Sequence, residues 1–417
     1  MSERDDEVQR REQAVRWRDE GLSYTTICER LHRSRPWLAK WLKRARADPK
    51  TGLESRPRRP KHVRRRLSPK LVGRILVLRA ELEGKRTRRS RYRGIGAIDI
   101  QELLREERRR HIPSISSIER VLRAHGCRRT PKRRAQGTTP YPALRAERPG
   151  DLQQTDLVGP RYIRGPRGVT RFYSLHTIAA VGRGVYASQH RHKTSEAFCS
   201  HFVRAWGWLG VPRISQLDNE MAATGGGRHR FGLSAVVRLH LLAGTHLVFV
   251  PPGEPGRNAL VESFNDVWQE RVLTLRHSDL RSVRRASQGH WRFYHERKPH
   301  RALTVRGDGT RLPGQWLRRH RAELRWLPDD FVLKQYVDGR GRLPVAVGAV
   351  SWIQRVDADG QVTINACPYF VGKRRTGEYV QVTLLTRRRR LVIYSAQHRT
   401  IRECSFPFVG RIVEPVL

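Results

Sequence analysis

The chain has 417 residues, with 84 Lys and Arg against 39 Asp and Glu, a formal net charge of +45, and a 38% hydrophobic share that includes ten Trp. That length exceeds one ordinary domain and leaves room for several cores, and the apolar share excludes disorder throughout. A field of this sign repels itself unless a polyanion neutralises it, which makes nucleic acid the expected partner. The basic excess occurs both in the first 150 residues and in the remainder, so it is no detachable tail. Codon bias toward Arg would enrich Arg without depleting acids. Five cysteines, Cys28, Cys127, Cys199, Cys367 and Cys404, form no Cys-x-x-Cys pair. They read as reduced thiols of a cytosol, without a zinc knuckle or a disulfide framework. MSERDDEVQRRE lacks the apolar stretch of a signal peptide, and Arg238, His240 and His246 interrupt the most apolar window, so no membrane segment is expected.

Residues 8 to 46 read as three helices, the first ending at Gly21, the second opened by Ser23 and the third by Ser34, each serine placed to cap orphan backbone N–H groups. Leu22, Ile27, Leu31, Leu38 and Leu42 recur at helical spacing and leave Arg35, Lys40, Lys43 and Arg44 to face phosphate. The pattern predicts a helix-turn-helix over 1–55 whose third helix reads DNA, rather than a plain three-helix bundle. From Arg56 to Arg93, sixteen Lys and Arg accompany only Glu81 and Glu83, the composition of a linker that tracks phosphates and leads into a helix. IGAIDIQELLREERRR and SSIERVLRAHG predict a second helix-turn-helix-like unit over 94–126, with Ser116 and Glu119 as a capping box. The Pro- and Gly-rich basic stretch 127–149 reads as a further linker.

Beyond Asp151 the pattern alternates strands and helices, the mark of an α/β domain. DLQQTDLVGP, TRFYSLHTIAAVG, GVYASQHR, RISQLDNE and THLVFVPP are predicted strands, and TSEAFCSHFVRAWGWLG, FGLSAVVRLHLLAG and RNALVESFNDVWQERVL predicted helices. A basic helical segment, 306–334, connects to 335–417, where AVSWIQRV, QVTINACPYF, YVQVTLL, RLVIYSA and TIRECSF read as five strands. Asp359-Gly360 is placed for a hairpin turn between the first two, and a small β-barrel is the simplest closure.

Asp156 follows a strand pattern in QQTDLVG, Asp218 ends one in ISQLDNE, and Glu262 lies one turn into a helix after a Pro/Gly loop. Each sits among apolar residues, at an element end where ligands can converge. QTD, LDN and PPGEPGRNALVESFN resemble the Asp-Asp-Glu core of bacterial insertion-sequence transposases and retroviral integrases, over about residues 150–305. Pro252, Pro255, Asn258, Glu262 and Phe264 are in register with that family's third-acid stretch, Pro-Tyr-x-Pro-x-x-Asn-Gly-x-x-Glu-Arg-Phe. YHERKPHRAL, with Arg297, Pro299, His300, Ala302 and Leu303, resembles its Tyr-Asn-x-x-Arg-Pro-His-x-Ala-Leu.

The resemblance implies a multidomain protein with N-terminal helical DNA-binding units, an α/β ribonuclease-H-like core and a small C-terminal β-barrel. It implies a metal-dependent DNA transposase in which Asp156, Asp218 and Glu262 are catalytic and hold Mg²⁺ or Mn²⁺, with Asn258, Arg297 and His300 as DNA contacts. Water would cleave the element ends and the freed 3′ hydroxyl would join target DNA. The partners implied are double-stranded DNA and further copies of the chain, since two ends must be held together. The sequence departs from the family pattern at Glu220, which replaces a Gly after Asp218-Asn219, and at His176, where many relatives carry a further Asp. Glu254 stands at the family's usual spacing from Asp218, yet Glu262 is the expected third acid because Asn258 and Glu262 share one helical face.

Other groups carry blander readings. His190 and His192 suit a surface or phosphate role, His277, His290 and His300 structural or DNA contacts, and Gly225 to Gly227 a turn, since they lack the Lys-Ser/Thr of a nucleotide loop. Two rival functions remain: a transposase-derived DNA-binding regulator with an inactive core, and a cellular nuclease, which would not need two N-terminal DNA readers.

Overall fold

The computed structural model describes residues 3–55, 67–127, 139–166, 168–219, 223, 231–304 and 308–417. They form two compact units, Met1–Ser68 and Pro69–Leu417.

The first unit contains α1 (Glu3–Asp19), α2 (Tyr24–Leu31) and α3 (Arg35–Ala47). Gly21, at φ +89°, turns the chain out of α1 in a conformation that costs an L side chain strain. The Ser23 hydroxyl then accepts from Thr26 N and caps α2. Ser34 occupies the equivalent position before α3 without a side-chain cap, and Pro36 pre-sets the first turn there. Ala14, Ile27, Leu38 and Leu42 meet in the core, with Leu22 and Leu31 at its margin.

In the second unit, α4 (Pro69–Gly84), α5 (Ala97–Glu106) and α6 (Ile115–Ala124) bury Ile75, Leu78, Leu82, Ile100, Leu103, Leu104, Ile118 and Leu122. The cap of α6 is Ser114, which accepts from Ser117 N, instead of the expected Ser116 with Glu119. Ile118 and Leu122, four residues apart, lie on the buried face of α6. Arg271 donates to the Leu82 carbonyl at 3.2 Å and Arg311 pairs with Glu102, so this helical unit is joined to the following domain by charged side chains.

That domain is built on a nine-stranded sheet. β1 (Leu152–Gly165), β2 (Gly168–Ala179) and β3 (Val185–His190) form an antiparallel meander, and β4 (Ile214–Leu217) and β5 (His246–Phe249) run parallel to β1. Alternating side chains divide the interior into two clusters. On one face α7 (Ser195–Leu209) and α8 (Ala235–Leu242) bring Phe198, Phe202, Trp206, Val236 and Leu239 against Leu175, Leu217 and Leu247. On the other, α9 (Ala259–Trp268) and α10 (Leu280–Arg297) bring Val261, Phe264, Trp268, Val283 and Tyr294 against Val158, Phe172 and Ile178.

The C-terminal strands depart from the expected separate barrel. β6 (Val345–Ala346) pairs with β13 (Ile412–Val413), while β7 (Ala349–Arg355) pairs parallel with β5 and antiparallel with β10 (Tyr379–Leu385), followed by β11 (Arg390–Ser395) and β12 (Thr400–Ser405). β5 would otherwise present an open row of backbone groups, and β7 covers it. Val350, Trp352, Val380, Val382 and Leu391 therefore continue the core of Phe202 and Leu247. QVTINACPYF, expected as one strand, is a hairpin of β8 (Gln361–Ile364) and β9 (Cys367–Phe370), reversing at Asn365 and Ala366, both at positive φ. The turn at Gly360 is present, with φ +76°, but β7 and β8 form no ladder and are bridged by the Gln354 amide to Thr363. Among the described residues, no helix is long and apolar enough to cross a membrane.

Several histidines of this domain are buried. His240 Nδ1 donates to the Val236 carbonyl at 2.8 Å, and His295 Nδ1 to the Trp291 carbonyl at 2.9 Å while its Nε2 accepts from Val185 N. Burial lowers both from the ordinary 6.5 to about 4. The unfolded chain takes up protons near pH 6.5 and the folded chain only near pH 4, so the stability tied to the neutral rings is complete above 6.5 and is lost as pH falls toward 4. Thermal unfolding followed by circular dichroism is expected to show a melting temperature that is flat above neutral pH and drops steadily through that window. A melting temperature that stays level down to pH 4 would contradict the neutral, buried assignment.

Candidate active site

The parallel register of β1 on β4 places Thr155 opposite Leu217. The next residues, Asp156 within β1 and Asp218 just past the end of β4, therefore follow at the same end of the paired segments. Asp156 is half-buried and Asp218 exposed. The turn after β4 is fixed by Asn219, whose backbone N–H donates to Asp218 Oδ1 at 2.7 Å and whose amide donates to the Val250 carbonyl beyond β5 at 2.9 Å.

The helix bonded to this part of β1 is α9, and three polar side chains recur along one side of its start. Asn258, Glu262 and Asn265 are spaced four and three residues apart and so lie one above another. Asn258 Nδ2 reaches the Thr155 carbonyl at 3.5 Å, and Asn265 Nδ2 donates to Asp156 Oδ2 at 2.6 Å. Leu260 N donates to Gln154 Oε1 at 3.1 Å, which seats the first turn on β1. Glu262, between the two asparagines, is half-buried in that first turn, where the helix dipole favours a carboxylate.

Glu254, the rival third acid, is differently employed. Its carboxylate pairs with Arg257 Nε at 3.0 Å and accepts from the Tyr379 hydroxyl of β10. The Arg257 guanidinium lies 3.7 Å from the Tyr141 ring centroid and 5.1 Å from that of Tyr379. Burial raises the Tyr141 hydroxyl above its ordinary range. This clamp ties the segment before β1, the loop after β5 and the C-terminal strands together. No local pattern announces it, because Tyr141, Arg257 and Tyr379 are far apart along the chain and individually ordinary.

Among the described residues, no three His, Cys, Asp or Glu side chains are gathered closely enough to hold a metal ion as they stand. The donor set at the strand ends is nonetheless of the hard, carboxylate kind that Mg²⁺ takes. His176, opposite Asp156 on β2, is fully buried, and burial lowers it to about 4.

Of the expected DNA contacts in this domain, Arg297 is exposed, whereas Asn258 is only 3% exposed and anchored on β1. His300 packs on Tyr294 with ring centroids 4.8 Å apart, and burial lowers it to about 3. His277 bonds the Val272 carbonyl, and His290 is buried against Phe264 and Tyr92. His190 bonds Ser188 rather than standing free, while His192 is exposed. Glu220 and Gly225 to Gly227 lie outside the described residues.

In the N-terminal unit, Arg35, Lys40 and Lys43 are exposed on α3. Arg35 lies over Tyr24 and Lys40 over Trp41, at 5.8 and 5.2 Å from the ring centroids, while Arg44, half-buried, lies 4.5 Å from that of Trp41 and donates to the Glu54 carbonyl. Arg11 covers the same ring at 3.8 Å and donates to the Leu53 carbonyl, so both arginines hold the end of the unit in place.

Residues 5–54 match the family model of a homeodomain-like domain, so α1–α3 form a helix-turn-helix domain of that kind. No curated protein matches the chain in sequence. Among solved structures, the chain is similar to one in the simian T-cell lymphotropic virus intasome in complex with PP2A regulatory subunit B56 gamma, at 13% identity and a TM-score of 0.32, over 56% of this chain and 73% of that one. It is also similar to the HTLV-2 integrase catalytic core domain in complex with magnesium. The trimeric form gives 14% identity over 41% of this chain and 98% of that one, and the dimeric form 15% over 41% and 97%, both at a TM-score of 0.30.

The clamp gives a direct stability expectation. Arg257→Ala removes an ion pair and two ring contacts and is expected to cost roughly 1–2 kcal/mol in denaturant unfolding. Arg257→Lys is expected to recover only part of this, because a compact ammonium replaces the planar guanidinium. Full stability in Arg257→Ala would show that the clamp contributes nothing.

Proposed function

We propose that the chain is a DNA transposase or integrase that cleaves element ends and joins the resulting 3′ hydroxyl to target DNA, with Asp156, Asp218 and Glu262 as its catalytic acids. The observation that carries this reading is the parallel register of β1 on β4, which ends the two strands at Asp156 and Asp218, together with the bond from Asn265 to Asp156, which ties to β1 the helix that carries Glu262 one turn earlier. In a chain of +45, acids at the ends of adjoining strands call for a use that repulsion from DNA does not cancel.

Asp156, Asp218 and Glu262 would hold Mg²⁺ or Mn²⁺. When bound, such ions stabilise negative charge on the attacked phosphate and on the departing oxygen. In the first reaction a water oxygen bonds to phosphorus and the 3′ oxygen leaves, taking up a proton. In the second, that 3′ hydroxyl bonds to a phosphorus of the target, losing its proton as the target's own 3′ oxygen departs. Asn265 holds one oxygen of Asp156, and Asn258 seats α9 over the strand ends. Arg35, Lys40 and Lys43 on α3 would meet the DNA, and synapsis of two ends calls for at least a dimer.

The third acid supplies the decisive comparison. Glu262→Gln keeps shape but removes an anionic oxygen ligand, so cleavage of uncut ends and joining of pre-cut ends, each assayed with Mg²⁺ and Mn²⁺, are expected to fall by orders of magnitude while DNA binding survives. Glu254→Gln is expected to keep most activity. An active Glu262→Gln beside a dead Glu254→Gln would move the third acid to Glu254, and a wild-type chain that binds its ends but never cuts would favour the regulator.

DNA reading by α3 is tested separately. Replacing Lys40 and Lys43 together by Ala is expected to weaken duplex binding and to lower the slope of log affinity against log salt by about 2, one for each phosphate left without its lysine. An unchanged slope would remove α3 from the interface.

A further inference from the structure

Asn265, which holds Asp156, is itself held by a chain of buried polar groups that the proposed reaction does not use directly. Asn265 Oδ1 lies 2.6 Å from His176 Nδ1, and His176 Nε2 lies 2.7 Å from Ser174 Oγ. The Gln189 amide donates to Ser174 Oγ and to Ser287 Oγ, at 3.0 Å each, and Trp268 Nε1 donates to Ser287 Oγ at 2.9 Å. The series thus runs from α9 and α10 through β3 and β2 to the carboxylate on β1. His176 is 0% exposed, with its ring edge-on to Phe264 and Trp268 at centroid distances of 5.2 and 4.6 Å.

With a neutral imidazole the short contacts of this series admit one ordering; the Ser174 hydroxyl also lies 3.5 Å from the Ser188 carbonyl. A carboxylate only accepts, so the Asn265 amide must turn its NH₂ toward Asp156 and its oxygen toward the imidazole. That oxygen also only accepts, so His176 must carry its hydrogen on Nδ1. Nε2 is then the acceptor and Ser174 the donor to it, leaving the Ser174 lone pairs for Gln189. A ring hydrogen on Nε2 would set lone pair against lone pair at Asn265 and free the amide to flip, presenting an oxygen to Asp156.

We propose that His176 is a positioning residue: through Asn265 it fixes the carboxylate of Asp156 in the orientation that receives a divalent cation. This rests on the function proposed above. It gives the imidazole at this position a role through its fixed tautomer and its place in the hydrogen-bond series. Groups that orient a metal ligand in this way are worth roughly tenfold to a hundredfold in metal affinity or activity.

The test uses the full chain and Mn²⁺ as the probe, with binding followed by electron paramagnetic resonance without DNA. His176→Phe keeps the ring's volume among its aromatic neighbours and removes both hydrogen bonds. It is expected to raise the Mn²⁺ dissociation constant tenfold or more, while duplex affinity stays at the wild-type level. Ser174→Ala, which deletes one hydroxyl and leaves the ring in place, is expected to raise it less, and His176→Gln, whose amide can still donate to Asn265, to restore much of the affinity. Long-range ¹H–¹⁵N spectra of the metal-free wild type, assigned by difference from His176→Phe, are expected to show the Nδ1–H tautomer. The Nε2–H tautomer, or wild-type Mn²⁺ affinity in a folded His176→Phe, overturns the proposal. Should His176→Phe not fold, unaltered Mn²⁺ affinity in Ser174→Ala overturns it. A wild type that binds Mn²⁺ while the variants bind it equally well fails the positioning role alone; a wild type that binds none fails the proposed function and the positioning role together.

Discussion

The parallel pairing of β1 with β4 is the constraint on which the rest of the domain depends. A parallel register brings the same ends of two strands side by side, so acids that end two strand patterns far apart in sequence become neighbours. An antiparallel pairing, or a slip of one residue, would send one of the two carboxylates to the opposite end or the opposite face. Everything on the α9 side of the sheet is arranged around that pair. Asn258 and Leu260 seat the helix on β1, Asn265 reaches Asp156, and Phe264 and Trp268 close over His176.

Many of the polar side chains buried in this domain bond one another, although both ring nitrogens of His290 are left without a partner. On the α9 face the series from Trp268 to Asp156 satisfies each member in turn, and on the α7 face His201 bridges Thr177 and Ser188 while His240 meets Ser215. Burying imidazoles costs little when they are neutral and bonded, and much when they must charge. The same rings that order the sheet therefore make it sensitive to acid, and the bonded series through Asn265 is what keeps a half-buried carboxylate in one orientation.

Continuity of the sheet across β5 and β7 changes what the C-terminal segment is. As a detachable barrel it would be a tether. As four strands added to the core sheet, with Trp352 stacked on Phe249 at a centroid distance of 5.8 Å, it is part of the interior that supports β5 and, through Tyr379 and Arg257, the loop that leads into α9. The basic residues that flank these strands are thereby held in fixed relation to the acids.

Local pattern was enough for much of this. The helical spacing around Ile27 and Leu38, the alternation of strands and helices from Asp151 to Trp268, and the separation of three acids from a strongly basic background were legible because each depends on near neighbours in the chain. What could not be read there depends on partners distant in sequence. β7 joins β5 because an open strand edge needs hydrogen bonds, and Glu254 is taken up by Arg257 and Tyr379. The sequence marked Asp156, Asp218 and Glu262 as acids worth attention, and only the register of β1 on β4 and the bonds from Asn258 and Asn265 to β1 relate their elements to one another, since proximity across a sheet is decided by hydrogen-bonded pairing and packing that no local spacing encodes.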